Sequence, residues 1–219
     1  MEISYLCSKV YTMIADCLLE YGVIEEEDGS ILRVESVPWR GLADELAELH
    51  FLHGASFIKQ LKLITYYGDF HTVENETNIF STGGERSEDY NYLLDAARKA
   101  VEHGYKVFLL PNPQGIRTAD YIFVRKGAYK MYDLKTISGS SSAGNRLQES
   151  IGQTNRVLLN ITTDYNPIAL ARNIRRYFEK NPQAVEVLVY KGKKSISVLR
   201  EETINGASFF KYFVAKYIQ

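Results

Sequence analysis

The most restrictive feature of this chain is the order in which its hydrophobic periodicity changes from residue 86 onward. Over 86–103 apolar side chains recur at helical spacing, with Leu93, Leu94, Ala97, Ala100 and Val101 on one face. Gly104 then supplies a left-handed C-terminal stop. Three runs of strand character follow at 105–110, 118–125 and 128–137, and Lys126-Gly127 between the last two predicts a hairpin. A Ser/Gly loop at 138–144 leads to a helical segment over 145–155. The apolar run 156–161 then predicts a strand buried on both faces. A basic helix over 167–180, a strand over 185–190, a lysine-rich turn, a strand over 195–199 and an aromatic C-terminal helix complete the pattern. Up to residue 190 the order is α-β-β-β-α-β-α-β, which predicts an α/β fold: a mixed sheet flanked by helices, its antiparallel part supplied by the hairpin.

The chain has 219 residues, enough for one large domain or an ordinary domain with a helical annex. Residues 4–21, about 40–52 and about 55–66 carry apolar side chains at helical spacing, which predicts a small N-terminal helical subdomain. An acidic turn, Glu25-Glu26-Glu27-Asp28-Gly29-Ser30, interrupts it. The polar, turn-rich 68–84 marks a boundary between an acidic part, 1–75, and a basic α/β part, 76–219. Charge follows the same division. Residues 1–80 hold 5 Lys+Arg and 14 Asp+Glu, a net of −9. The remaining 26 − 5 = 21 Lys+Arg and 27 − 14 = 13 Asp+Glu give +8. Such a split suits a polyanion-binding part joined to an acidic one, although two solvated charged faces would produce it equally well.

Several classes are disfavoured. No apolar run approaches bilayer length, and the first residues lack the basic region of a signal peptide, so a cytoplasmic site of action without a membrane partner is expected. Cys7 and Cys17 are too few for a disulfide framework. His50, His53 and His71 lie in the same region, but without a second tight ligand pair a zinc site is the weaker reading. No nucleophile elbow with a histidine partner supports a serine or cysteine hydrolase.

Chemistry concentrates on Asp120 and on Asp133-Leu134-Lys135. Asp133 and Lys135 are two apart on one strand, so both leave the same face of the sheet, and Asp120 lies on the neighbouring hairpin strand. Two carboxylates brought close repel unless a cation neutralises them, and hard oxygen donors favour Mg²⁺ or Mn²⁺. A lysine beside them positions water or stabilises charge growing on a phosphate. Both aspartates are set among apolar neighbours, where an unused charge costs stability.

The arrangement resembles the PD-(D/E)XK nuclease superfamily, and within it the toxin-type nuclease domains of the contact-dependent inhibition class. The matching parts are Gly104-Tyr105-Lys106-Val107, Asp120, Asp133-Leu134-Lys135, and Gln153 ahead of Arg156-Val157-Leu158-Leu159, over about 85–190. Ala119 stands where the superfamily usually has proline. Val73-Glu74-Asn75 is similar to the tripeptide that precedes such toxin domains. The resemblance implies a restriction-endonuclease-like α-β-β-β-α-β core and metal-dependent phosphodiester cleavage of RNA or DNA. It further implies Asp120 and Asp133 as metal ligands, Lys135 as catalytic lysine, and an immunity protein as a possible partner. It also implies a helix acid that completes the site: Glu88 is favoured, with Glu85 and Asp89 as competitors. Acidic residues in a first helical turn need no function, so that choice stays open.

Around this centre Thr136, Gln148 and Gln153 are candidates for supporting contacts. Arg172, Arg175, Arg176 and Lys180 form a cationic stripe on helix 167–180, and Arg146, Arg156, Lys193 and Lys194 add positive charge suited to phosphates. The loop 138–144 suits either phosphate binding or helix capping. Two other functions stay open: a non-catalytic nucleic-acid or protein-binding module on the same fold, and a metal-independent ribonuclease toxin.

Overall fold

The computed structural model describes residues 70–81, 83, 89–110, 119–126, 128–139, 142–206 and 208–219, with backbone alone at 23–25, 31–33, 128–129 and 205. The helical patterns expected at 4–21, 40–52 and 55–66 lie outside the described residues. So do Cys7, Cys17, His50 and His53, and both Glu85 and Glu88. Strands β1 (Val23–Glu25) and β2 (Ile31–Arg33) pair antiparallel on either side of the acidic turn.

The main body is an eight-stranded mixed sheet. Its strands are β3 (His71–Thr72), β4 (Ile79–Ser81), β5 (Lys106–Leu109), β6 (Tyr121–Arg125), β7 (Ala128–Ile137), β8 (Arg156–Ile161), β9 (Glu186–Lys191) and β10 (Lys194–Leu199), in the spatial order β10-β9-β8-β7-β6-β5-β4-β3. β4–β5, β7–β8 and β8–β9 are parallel and the remaining neighbours antiparallel. The helices are α1 (Tyr90–Glu102), α2 (Ala143–Glu149), α3 (Pro167–Lys180), α4 (Arg200–Asn205) and α5 (Phe209–Ile218). The expected α-β-β-β-α-β core is α1-β5-β6-β7-α2-β8.

Strand alternation divides the core in two. On one face, Leu93, Ala96, Ala97 and Ala100 of α1 pack on Val107, Leu109, Tyr121, Phe123, Tyr132 and Leu158. On the other, α2, α3 and α5 bury Leu147, Leu170, Ile174, Phe178 and Phe213 against Ile137, Val157, Leu159, Val187 and Val189. Helix α3 starts as its sequence dictates. Pro167 occupies the first turn, and the Asn166 side chain accepts from the Ile168 and Ala169 amides at 3.0 and 2.9 Å.

Four local readings differ from the structure. The 86–103 helix begins at Tyr90, with Asp89 at its cap. The polar 68–84 stretch contains β3 and β4, because Asn75 and Asn78 (both φ 62°) turn the chain and let Ile79 and Phe80 pair with β5. The helix expected over 145–155 is α2, 143–149: Ser150 Oγ donates to the Leu147 carbonyl at 2.7 Å, and Gly152 (φ 84°) turns the chain away. The short α4 has no counterpart in the sequence pattern.

Candidate active site

The long strand β7 changes partner midway. Residues 128–132 pair antiparallel with β6, and 133–137 pair parallel with β8. Asp133 is the first residue of the second half, and Asp120 stands one residue before β6. The two acids therefore lie one step beyond the Tyr121–Tyr132 pair, where β6 ends and β7 runs on. Backbone bonds fix this corner: Leu110 N donates to Asp120 O at 2.8 Å and Asp120 N to Tyr132 O at 2.9 Å. The Leu134 amide lies past the last β6 partner, and Asp120 Oδ2 accepts from it at 2.6 Å. The Asp120 side chain thus stands in for the missing strand.

Lys135 Nζ donates to Asp133 Oδ1 at 2.7 Å. Asp133 is 1% exposed and Asp120 7%. Asp133 Oδ2 is buried with no hydrogen-bond partner, an unusual state for a carboxylate oxygen. Burial pushes the Asp133 carboxyl up to about 8; Lys135 opposes the shift and the Asp120 charge adds to it. Among the described residues, no group of three or more His, Cys, Asp or Glu is arranged to hold a metal ion. The pair Asp120–Asp133, with one buried oxygen unused, still offers the hard donors of a two-carboxylate site.

The other sequence candidates are dispersed. Glu88 and Glu85 lie outside the described residues, and Asp89 is exposed. Thr136 faces the opposite side of β7 from Asp133 and Lys135. It pairs in register with Asn160, and its buried hydroxyl has no partner. Gln148 is exposed on α2, and Gln153 donates to the Glu149 carbonyl at 3.0 Å. Arg146 pairs with Glu149, and Arg175 with Glu179 while lying over the Phe210 ring. Arg172, Arg176 and Lys180 are exposed on α3, and Lys193 on the β9–β10 turn. Lys194 is tied to the Tyr217 carbonyl at 2.8 Å, at the end of α5. Arg156 is 3.4 Å from Glu186, inside a buried cluster on the α1 face, away from Asp133. In the 138–144 loop, the Tyr165 hydroxyl accepts from Ala143 N at 3.2 Å, and Ser142 makes no capping bond.

Two polar clusters escaped the sequence reading. Asp95 and Lys99 of α1 form a closed triangle with buried Asn160: Lys99 donates to Asp95 and to Asn160 at 2.8 Å each, and Asn160 donates to Asp95 at 2.9 Å. The available signal was one asparagine inside the apolar run Val157–Ile161. The second cluster surrounds Glu186, where Lys130 (2.8 Å), Tyr132 (3.0 Å) and Ser197 (2.6 Å) donate to the buried carboxylate.

No protein-family model matches the chain, and no curated protein matches it. Among solved structures, the chain is similar to one chain of a CdiA-CT/CdiI toxin and immunity complex from Burkholderia pseudomallei. The match has a TM-score of 0.37 and 15% sequence identity, over 59% of this chain and 94% of that one. Among the described residues, no helix is long and apolar enough to cross a membrane.

Proposed function

We propose that this chain hydrolyses phosphodiester bonds in a nucleic acid, with Asp120, Asp133 and Lys135 at the reacting centre and Mg²⁺ or Mn²⁺ as cofactor. One observation carries the reading. Asp133 is a buried carboxylate with one oxygen on Lys135 and the other unused, beside a second carboxylate. Asp133 is ionised beside Asp120 only at a cost in free energy, which a cation bound by the two carboxylates would offset. When bound, the ion would supply Lewis acidity at a phosphate oxygen. Lys135, anchored by Asp133, would orient the attacking water and offset charge growing on the phosphate. Their placement on paired strands keeps these groups in fixed register.

The motif and the α1-β5-β6-β7-α2-β8 order support assignment to the PD-(D/E)XK type. The sequence resemblance over about 85–190 supports a contact-dependent inhibition toxin, with a cognate immunity protein as partner. Purified protein incubated with plasmid DNA and total tRNA in Mg²⁺, Mn²⁺ or EDTA tests the chemistry. Metal-dependent cleavage that Asp133→Ala and Lys135→Ala both abolish is expected, and the polymer cut identifies the substrate. Cleavage indifferent to both substitutions would defeat the reading. For the toxin assignment, induced expression inside a cell should arrest growth, and Asp133→Ala should relieve the arrest; growth unaffected by the wild-type chain refutes it.

The raised pKa of Asp133 favours one second reading. Without a cation, burial and the neighbouring Asp120 favour the protonated form of the group, which is equipped as a general acid. Cleavage that persists in EDTA but is lost in Asp133→Asn would favour that metal-independent route.

A further inference from the structure

At the end opposite the acid pair, the central strands outrun the rest of the sheet. Because Asp133 pairs with Val157, β8 begins level with Tyr132, and residues 128–131 have β6 on one side and, among the described residues, no strand on the other. The Thr154 hydroxyl takes up part of the missing ladder, donating to Met131 O at 3.2 Å. β5 accompanies the projection, with Lys106 paired to Val124 and Arg125 to Ala128.

This projecting end is cationic. It carries Lys106 at the start of β5, Arg125 at the end of β6, Lys126 in the turn and Lys130 on β7. Only Lys130 is neutralised, by Glu186. Lys106, Arg125 and Lys126 are exposed, and among the described residues none of the three makes an ion pair. The Arg125 guanidinium lies 5.2 Å from the centroid of the Tyr105 ring, which holds it in place without consuming its charge. Lys126 adopts φ 50°, in the left-handed region where a lysine is strained and glycine or asparagine is not. Stability alone would not choose lysine there.

We propose that Arg125 and Lys126, at the tip of the β6–β7 hairpin, form an anchoring surface for the phosphate backbone of a nucleic acid. This rests on the nucleic-acid reading above and extends it from the reacting centre to the substrate's path. Five residues of strand separate Asp120 from Arg125, about 17 Å at 3.3 Å per residue. A duplex of that length carries on the order of ten backbone charges; because Arg125 leaves the α1 face and Asp133 the other, a polymer that touches both passes round the hairpin end. The contacts are with phosphates and carry no sequence information.

The test is equilibrium binding of the full chain, carrying Asp133→Asn to prevent cleavage, to labelled tRNA and to a labelled DNA duplex across a salt series. Arg125→Gln combined with Lys126→Gly should weaken binding. It should also make the plot of log K against log salt shallower by about 1.4–1.8, the loss of two phosphate contacts. Lys126→Gly relieves backbone strain, so its melting temperature should equal or exceed that of the parent, which separates lost binding from lost folding. Unchanged affinity and slope on both polymers, with the parent binding, overturn the anchor and leave the nuclease reading standing. Weaker binding at unchanged slope also overturns it, because no phosphate contact was then removed. A parent that binds neither polymer overturns the anchor together with the nucleic-acid reading beneath it.

Discussion

Glu186 and Asp133 are both buried carboxylates in one sheet, yet their surroundings differ in kind. Burial alone would raise Glu186, but hydrogen bonds from Lys130, Ser197 and Tyr132 hold its carboxyl below the usual range. Both of its oxygens are satisfied. Asp133 has one lysine, a like-charged neighbour and an oxygen with nothing to accept from, and burial wins. A buried acid encircled by donors is stabilised in its ionised form, whereas one short of donors beside another acid is not. Sequence spacing distinguishes neither, since Glu186 and Asp133 each sit in a half-apolar strand.

The largest expected effect follows from that contrast. Asp133→Ala should reduce cleavage by at least about 100-fold while the protein stays folded, measured as initial rates alongside circular dichroism. Equal rates would make Asp133 as structural as Glu186. Glu186→Ala should behave the opposite way. Stranding Lys130 and Arg156 is expected to cost about 3–5 kcal/mol in urea unfolding, while the rate per folded molecule survives. A stable but inactive Glu186→Ala protein would reverse the two roles.

The two acids should respond to pH in opposite directions. The raised Asp133 pKa gives the metal-free protein a stability contribution fully present below about 3.8 and lost as pH rises through about 8. Melting temperature should therefore fall toward pH 8 through this group, and Asp133→Asn should flatten that limb. The lowered Glu186 pKa contributes stability present above 4.5 and lost as pH falls through its folded value. An acid limb is then expected to persist in Asp133→Asn. A divalent cation that binds the folded state should raise the melting temperature near pH 8, and Asp133→Asn should abolish the gain.

Smaller effects bound the comparison. Asn160→Ala opens the triangle with Asp95 and Lys99 and should cost about 1–3 kcal/mol in urea unfolding, because the buried end of Lys99 loses an acceptor. Arg146→Ala breaks an exposed pair with Glu149 and should change stability by no more than about 1 kcal/mol. A larger loss at Arg146 would mean that it holds more than its neighbour on α2.

The parts legible in the sequence were those whose signals are local. Strands 128–137 and 156–161 and helix 167–180 appear with the residues expected of them, because alternation, an apolar run and helical spacing depend only on near neighbours. Asp133 and Lys135 share a face for the same reason. The strands inside 68–84 and the early end of α2 were missed, because pairing with β5 and a single glycine outweighed propensity there. The Glu186 cluster and the Asp95–Lys99–Asn160 triangle join residues up to 65 positions apart, and no local pattern encodes them.

Consecutive residues alone encode the order of elements from α1 to β10 and the shared face of Asp133 and Lys135, since both follow from local periodicity. The exchange of β6 for β8 at Asp133, the capping of the Leu134 amide by Asp120 and the place of Arg156 in a buried ion cluster are tertiary outcomes. Those outcomes depend on register and burial, which arise when distant segments compete for the same hydrogen bonds and the same dry interior.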